Sequence, residues 1–245
     1  MKTRSVFAPR RFLRLLVSDA MSIRRDPMLA FAIVLSTAPA LAMLRFREAM
    51  DVAALQRLGV VELSRYVAPV ALLIPAFLIG WVTGFLLLED RDDGPLLAVD
   101  VTPVGKVGFL WYRVTATASV VLALTLAATT AVTPQIDSGR RLAAAVMVAA
   151  AAVLAAVVLP AVARNKVEGL ALTKVTNLAS IVPLLAMVPS PWRYAAGVVP
   201  TFWLGELLAP PSLNPLPLPW LLLAALVSYL YWTIRLLARL RQRVG

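Results

Sequence analysis

The sequence predicts an all-α integral membrane protein with six transmembrane helices. Three observations predict it. Sixty per cent of the 245 residues are apolar, 15 % are charged, and the mean hydropathy is +0.82. Soluble chains average about 45–50 % apolar and about 25 % charged. The apolar residues come in long uninterrupted runs rather than at helix or strand period. Finally, the charges fall between those runs and not within them.

The chain reads as a single transmembrane domain over 1–245, and its elements follow in order. Residues 1–27 form a basic amphipathic helix. Phe12, Leu13, Leu16, Ala20 and Ile23 share one stripe, with Arg10, Arg14, Asp19 and Arg25 largely opposite. Such a helix lies in the headgroup plane. A plain basic anchor is the alternative. The basic residues are not followed by an apolar stretch and a small-residue cleavage site, so the start does not read as a secretory signal. Asp26-Pro27 then caps and opens a helix, which turns the chain into the first span.

A span needs about 20 mostly apolar residues. The runs place spans at 28–44, 66–88, 114–133, 142–163, 175–188 and 218–234. The first, fifth and sixth are short. None contains Asp, Glu, Lys or Arg. One such charge at a helix centre costs about 2.5–3.5 kcal/mol on insertion scales. Between the first two spans, 45–65 reads as a polar connector with a short helix around 48–58. Gly80 and Gly84 in the second span form a Gly-x-x-x-Gly pair that allows close helix approach. Contact within the chain and contact between two chains both fit that pair. The fourth span is alanine-rich and equally suited to tight packing.

The stretch 189–217 departs from the pattern. It holds Pro189, Pro191, Pro200, Pro210, Pro211, Pro215 and Pro217, yet its only charges are Arg193 and Glu206. Trp192, Tyr194, Phe202 and Trp203 suit a membrane interface. Residues 194–208 are expected to form one or two short half-helices. They would make a broken, re-entrant segment in the outer leaflet before the sixth span. Irregular backbone at that depth must be shielded by protein. A surface loop is the alternative.

Charge sets the orientation. Of the 24 Lys and Arg residues, 17 fall in 1–27, 89–113, 164–174 and the tail from 235, and 7 fall in the intervening loops. The excess places both termini in the cytoplasm. In 164–174, Arg164, Lys166 and Lys174 are membrane anchors, and Glu168 is placed to pair with one of them. The net charge of +11 therefore describes topology rather than a nucleic-acid surface.

Much chemistry is excluded. The chain has no cysteine and no histidine, so thiolate and imidazole metal sites and His-based catalysis are absent. No Gly-x4-Gly-Lys-Ser/Thr pattern occurs, so there is no visible nucleotide site. No metal site and no catalytic residue is expected.

The informative exception to the charge pattern is 89–103. It is acidic on the side where basic residues prevail, with Glu89, Asp90, Asp92, Asp93 and Asp100. Asp92 and Asp93 favour the N-terminus of a stubby helix from Pro95 to Val101. Thr102-Pro103 restarts the chain as the helix of the third span. Leu96, Leu97 and Val99 give the stubby helix an apolar side for a partner. A solvated acidic loop is the alternative.

The run Glu-x-x-x-x-Gly-x-Leu-x-Ala-x-x-x-Thr-Pro, here Glu89, Gly94, Leu96, Ala98, Thr102 and Pro103, resembles a loop of ATP-binding-cassette (ABC) transporter permeases of the type-2 exporter class. Tyr112-Arg113 before the third span is similar to that class as well. Residues 165–174 resemble the span 4–5 loop of bacterial drug-export permeases, including the fluoroquinolone-export type. Pro95 departs from the family, where a small hydroxyl residue is common.

The resemblance implies a permease subunit, not an enzyme, in the bacterial inner membrane. It implies export of an apolar or amphipathic cargo such as a drug, antibiotic or lipid-like molecule. The energy source would be a separate ATPase subunit, in two copies, that holds the ATP-Mg; this chain would bind no cofactor. Its coupling helix would use Glu89, Asp92, Asp93, Gly94, Leu96, Leu97, Asp100, Thr102 and Pro103. A second permease, identical or homologous, would complete the pathway. Trp81, Phe85, Asn177 and Ser180 would line it. A non-transporting membrane scaffold is the competing reading. A secondary carrier is a weaker one, because the spans carry no charge and the two halves share no visible repeat.

Overall fold

Each apolar run forms a helix, and most helices outlast the run that predicted them. The computed structural model describes residues 27–92, 105–210 and 216–244. Helices α1 to α4 are Pro27–Leu58, Leu63–Asp92, Gly105–Val132 and Ser138–Val162. Helix α5 is Lys166–Thr176, α6 is Phe202–Leu208 and α7 is Leu218–Val244. Between α5 and α6 lie three 3-10 segments, Asn177–Ser180, Val182–Met187 and Pro191–Val198. No strand occurs among the described residues. Five helical segments are long and apolar enough to cross a bilayer: Leu63–Asp90, Gly108–Val132, Ser138–Val162, Lys166–Met187 and Leu218–Leu240. The amphipathic helix expected over 1–27 lies outside the described residues but for Pro27, which is the first residue of α1.

The long elements run alternately up and down. The starts of α1, α3 and α5 and the ends of α2, α4 and α7 share one end of the bundle, here the near end. The hairpin between α1 and α2, the turn before α4 and the segment from 189 share the far end. Helix α1 corrects the expected connector. Its 32 residues continue unbroken through the polar stretch to Leu58. At 1.5 Å per residue that is about 48 Å, against a hydrocarbon core of about 30 Å. Hydropathy marks the part that suits a bilayer, and charged residues beyond it remain good helix formers. Gly59 stops the helix with φ at +67°, and its N–H bonds Leu55 O at 3.2 Å. Asp51 then fixes the hairpin. Its carboxylate accepts from the Ser64 N–H at 2.7 Å and the Ser64 hydroxyl at 2.8 Å, capping α2 from the preceding helix.

Helix α4 is the central element. Its alanines from Ala144 to Ala161 are largely buried, and α2 lies directly on them. Gly80 and Gly84 make that approach possible. A Cβ at Gly80 would sit 2.5 Å from Ala152 O, and one at Gly84 would sit 2.9 Å from Ala156 O. The glycine pair therefore packs within the chain. Thr83 and Thr117 share a buried hydroxyl hydrogen bond of 2.8 Å, which ties α2 to α3.

The fifth span is not a simple α-helix over 175–188. The α-helix ends at Thr176, and the chain continues as 3-10 turns to Met187. Two local causes act together. Pro183 supplies no N–H, and the Thr176 and Ser180 hydroxyls bond carbonyls three or four residues back. A 3-10 helix rises about 2.0 Å per residue against 1.5 Å for an α-helix. The tighter winding thus lengthens a segment that would otherwise be short for a membrane. Beyond it, two short helices replace the half-helices expected over 194–208: the 3-10 turn Pro191–Val198 and α6.

Candidate functional site

The near end brings three helices together through charge. Glu89 and Asp90 occupy the last turn of α2, where the helix dipole disfavours carboxylates. Each has a basic partner on another element. Lys166 Nζ lies 3.1 Å from Glu89 Oε1, and both side chains are half exposed. Arg113 Nη2 lies 3.6 Å from Asp90 Oδ2, and this pair is largely sheltered. The Arg113 guanidinium also covers the Phe109 ring at 5.1 Å. The end of α2 is thereby tied to α3 and to the start of α5.

That start is self-capped. Asn165 Oδ1 accepts from the Glu168 N–H at 2.9 Å, and Glu168 Oε2 accepts from the Arg164 N–H at 2.7 Å. Glu168, expected to pair with a neighbouring cation, serves the backbone as a cap. Tyr112 and Arg113 lie inside α3, ahead of its membrane part as expected, and the described helix begins at Gly105 with φ at +63°. Asp92 is the last residue of α2. Asp93, Gly94, Leu96, Leu97, Asp100, Thr102 and Pro103 lie outside the described residues.

Two of the expected pathway residues, Trp81 and Phe85, lie on α2, and the other two, Asn177 and Ser180, on the 3-10 segment that packs against it. Trp81 packs against the main core, its ring centre 5.7 Å from that of Phe77. Phe85 lies one turn further along α2 and faces Gly169 of α5. Ser180 is buried and donates to Asn177 O at 2.7 Å, whereas Asn177 is exposed. A different feature is concave. A groove of about 370 Å³ lies between α1, α2 and α3. Ala40, Leu72, Ile79, Val121 and Ala128 give it apolar walls, and Ser36, Thr37, Thr125 and Thr130 give it hydroxyls. No charged residue lines it. Three sequence-distant helices build it, so no local motif announced it. Hydroxyls grouped within apolar runs were the available signal.

The far end holds the other feature that the sequence did not resolve. Arg193 and Glu206 meet, with Nε 2.8 Å from Oε1, and their side chains are 5 % and 0 % exposed. Arg193 Nη1 donates to Val188 O and Nη2 to the Tyr194 hydroxyl, each at 3.1 Å. The guanidinium lies 5.0 Å from the Tyr194 ring centre. Two lone opposite charges in an apolar segment were visible in the sequence; their pairing was not.

Comparison with known proteins follows from this geometry. A protein-family model described as "Fluoroquinolones export permease protein Rv2686c-like" matches residues 19–238, nearly the whole chain. The chain belongs to this family. Two curated relatives from Mycobacterium tuberculosis are each 30 % identical to it over 144 residues. They are the fluoroquinolones export permease protein MT2760 of strain CDC 1551 / Oshkosh and Rv2686c of strain ATCC 25618 / H37Rv. Each alignment covers 54 % of this chain and 57 % of the relative, so the chain spans little more than half the length of either. No solved structure matches significantly. Among the described residues no group of three metal-ligating side chains is assembled.

Proposed function

We propose that the chain is the membrane permease subunit of an ATP-driven ABC exporter. The observation that carries this reading is the family match over 19–238, joined to apolar helices long enough to cross a bilayer. A permease without a nucleotide site takes its free energy from a partner. A separate ATPase, present in two copies with ATP-Mg, fills that role, and a second permease, identical or homologous, completes the pathway. The near end is cytoplasmic and carries both termini. The chain crosses the bacterial inner membrane six times, with the first crossing in α1.

The segment 89–104 docks on the ATPase through Glu89, Asp92, Asp93, Asp100 and the apolar side formed by Leu96 and Leu97. The two ion pairs at the end of α2 make that segment a lever. A push on it reaches α3 through Asp90–Arg113 and α5 through Glu89–Lys166. The cargo is an uncharged or net-neutral apolar or amphipathic molecule, of the drug, antibiotic or lipid-like class. The groove between α1, α2 and α3 is its berth. Pockets for drug-sized ligands run to about 300–1,000 Å³ and are mostly apolar with a few polar groups.

The test is co-purification with an ABC ATPase; a Walker-A ATPase gene beside this chain's gene would name the candidate. The complex should hydrolyse ATP, and cargo should stimulate that hydrolysis. Reversing Asp92, Asp93 and Asp100 to lysine should abolish stimulation while membrane insertion persists. Full stimulation in the reversed variant contradicts the docking role.

A further inference from the structure

The buried Arg193–Glu206 pair serves no step described so far. Its stability contribution does not account for it, because taking two charges out of water is costly. An apolar pair of similar volume often packs as well or better. Ionisable groups buried at membrane depth generally mark function. The pair joins two short helices, each of which touches both α7 and the 3-10 half of the fifth span. The Pro191–Val198 turn hangs on α7, where Trp232 Nε1 and the Ser228 hydroxyl donate to Val198 O at 2.8 and 3.3 Å. Helix α6 rests on the 3-10 half of the fifth span. Gly205 touches Pro183 so closely that a Cβ there would run into the Pro183 carbonyl.

Glu206 also has a second cation within reach of its cavity. It lines a small chamber of about 40 Å³ with Arg140, from the first turn of α4, and with Leu207, Leu218 and Leu221. The chamber exceeds the roughly 10–15 Å³ that one water requires. Among the described residues Arg140 pairs with Asp137, at 3.6 Å, in a partly solvent-exposed pair. Exposed pairs of this kind bind weakly. Glu206 thus borders a cavity that an alternative arginine also lines.

We propose that Glu206 is the moving part of an outer latch. Paired with Arg193, it holds the Pro191–Val198 turn and α6 together and closes the outer end of the permease. Paired with Arg140, it releases the Pro191–Val198 turn from α6. This direction of opening rests on the exporter reading; the closed contact does not.

The chain has no native cysteine, so a single introduced one reports local opening cleanly. Leu207, buried beside Glu206, is the reporter position. In the full chain in lipid nanodiscs, Leu207→Cys should react slowly with a polar maleimide. Adding Glu206→Gln should speed labelling at least tenfold. Adding Arg140→Gln should leave labelling slow, because the closed pair is intact. In vesicles with the ATPase, Arg140→Gln should cut transport at least fivefold. The apolar pair Arg193→Met with Glu206→Leu should insert and stay closed, yet transport at least tenfold more slowly. It keeps the testing possible where single variants fail to fold.

Wild-type transport by the apolar pair or by Arg140→Gln overturns the latch, as does unchanged labelling in Glu206→Gln. The labelling results need neither ATPase nor cargo. If they hold while no variant and no wild-type chain transports, the exporter reading fails and the closed contact stands.

Discussion

Gly80→Ala adds one methyl group where α2 lies closest against α4. The new Cβ would lie 2.5 Å from Ala152 O and 2.9 Å from Ala155 Cβ, whereas ordinary contacts begin at 3.4 Å. Ala152 O is backbone and cannot rotate away, so α2 and α4 must part by roughly 1 Å to restore normal separations. Overpacking of this kind costs about 1–3 kcal/mol. Helix propensity offsets up to about 1 kcal/mol of that. The net loss is about 1–2 kcal/mol, or roughly 2–8 °C in Tm for a chain of this size. Gly84→Ala meets a milder obstacle, 2.9 Å to Ala156 O and to a movable Leu159 methyl, and should cost less. Thermal unfolding in detergent, followed by fluorescence-detected gel filtration, measures both. The reasoning is refuted if Gly80→Ala is as stable as the parent, or if Gly84→Ala is the more damaging change. A subunit contact at this pair would instead alter association without lowering Tm.

Three further outcomes follow from the same geometry. Glu89→Lys and Lys166→Glu should each weaken coupling of ATP hydrolysis to transport, and the double exchange should recover only the part lost through their ion pair, because position 89 also faces the ATPase; the pair is half exposed, so the coupling energy in a double-mutant cycle should stay below about 1 kcal/mol. Ala128→Phe fills the groove between α1, α2 and α3 and should reduce cargo-stimulated ATPase activity by tenfold or more, with basal activity unchanged. Asp137 caps α4, and the hydrogen bond from the Arg140 N–H, the leading cause, holds its carboxyl below the usual carboxylate range. A depressed folded-state pKa stabilises above the unfolded value of about 3.9 and is lost as pH falls through the folded one. The Tm gap between the parent and Asp137→Ala should therefore be present at pH 7 and close as the buffer is taken below about pH 4.

The parts of this fold that the bilayer dictates were legible in the sequence. Apolar runs without charge mark the spans because a buried charge is costly, and the Gly80/Gly84 spacing marks a close contact. What was not legible depends on partners far away in the chain. The glycine pair shows that something approaches, but only α4 shows that it is Ala152 and Ala156. The polar half of α1 was legible as a helix around 48–58, but not its continuity with the apolar half, because hydrophobicity and helix are separate properties. The 3-10 winding of the fifth span involves Pro183, which is local, and Gly205, which arrives from 22 positions later. Arg193 and Glu206 were seen as two isolated charges; their distance in sequence gave no reason to join them. The groove has no motif at all, since three helices each supply a few ordinary residues.

ATP-dependent transport tests the exporter reading most directly. The chain and the ABC ATPase that co-purifies with it would be reconstituted in proteoliposomes, with nucleotide on the ATPase side and a fluorescent fluoroquinolone as the probe. Accumulation that requires ATP, needs both proteins and falls when Ala128→Phe fills the groove is the result expected. Equal uptake with and without ATP, in a complex that hydrolyses ATP, would contradict it.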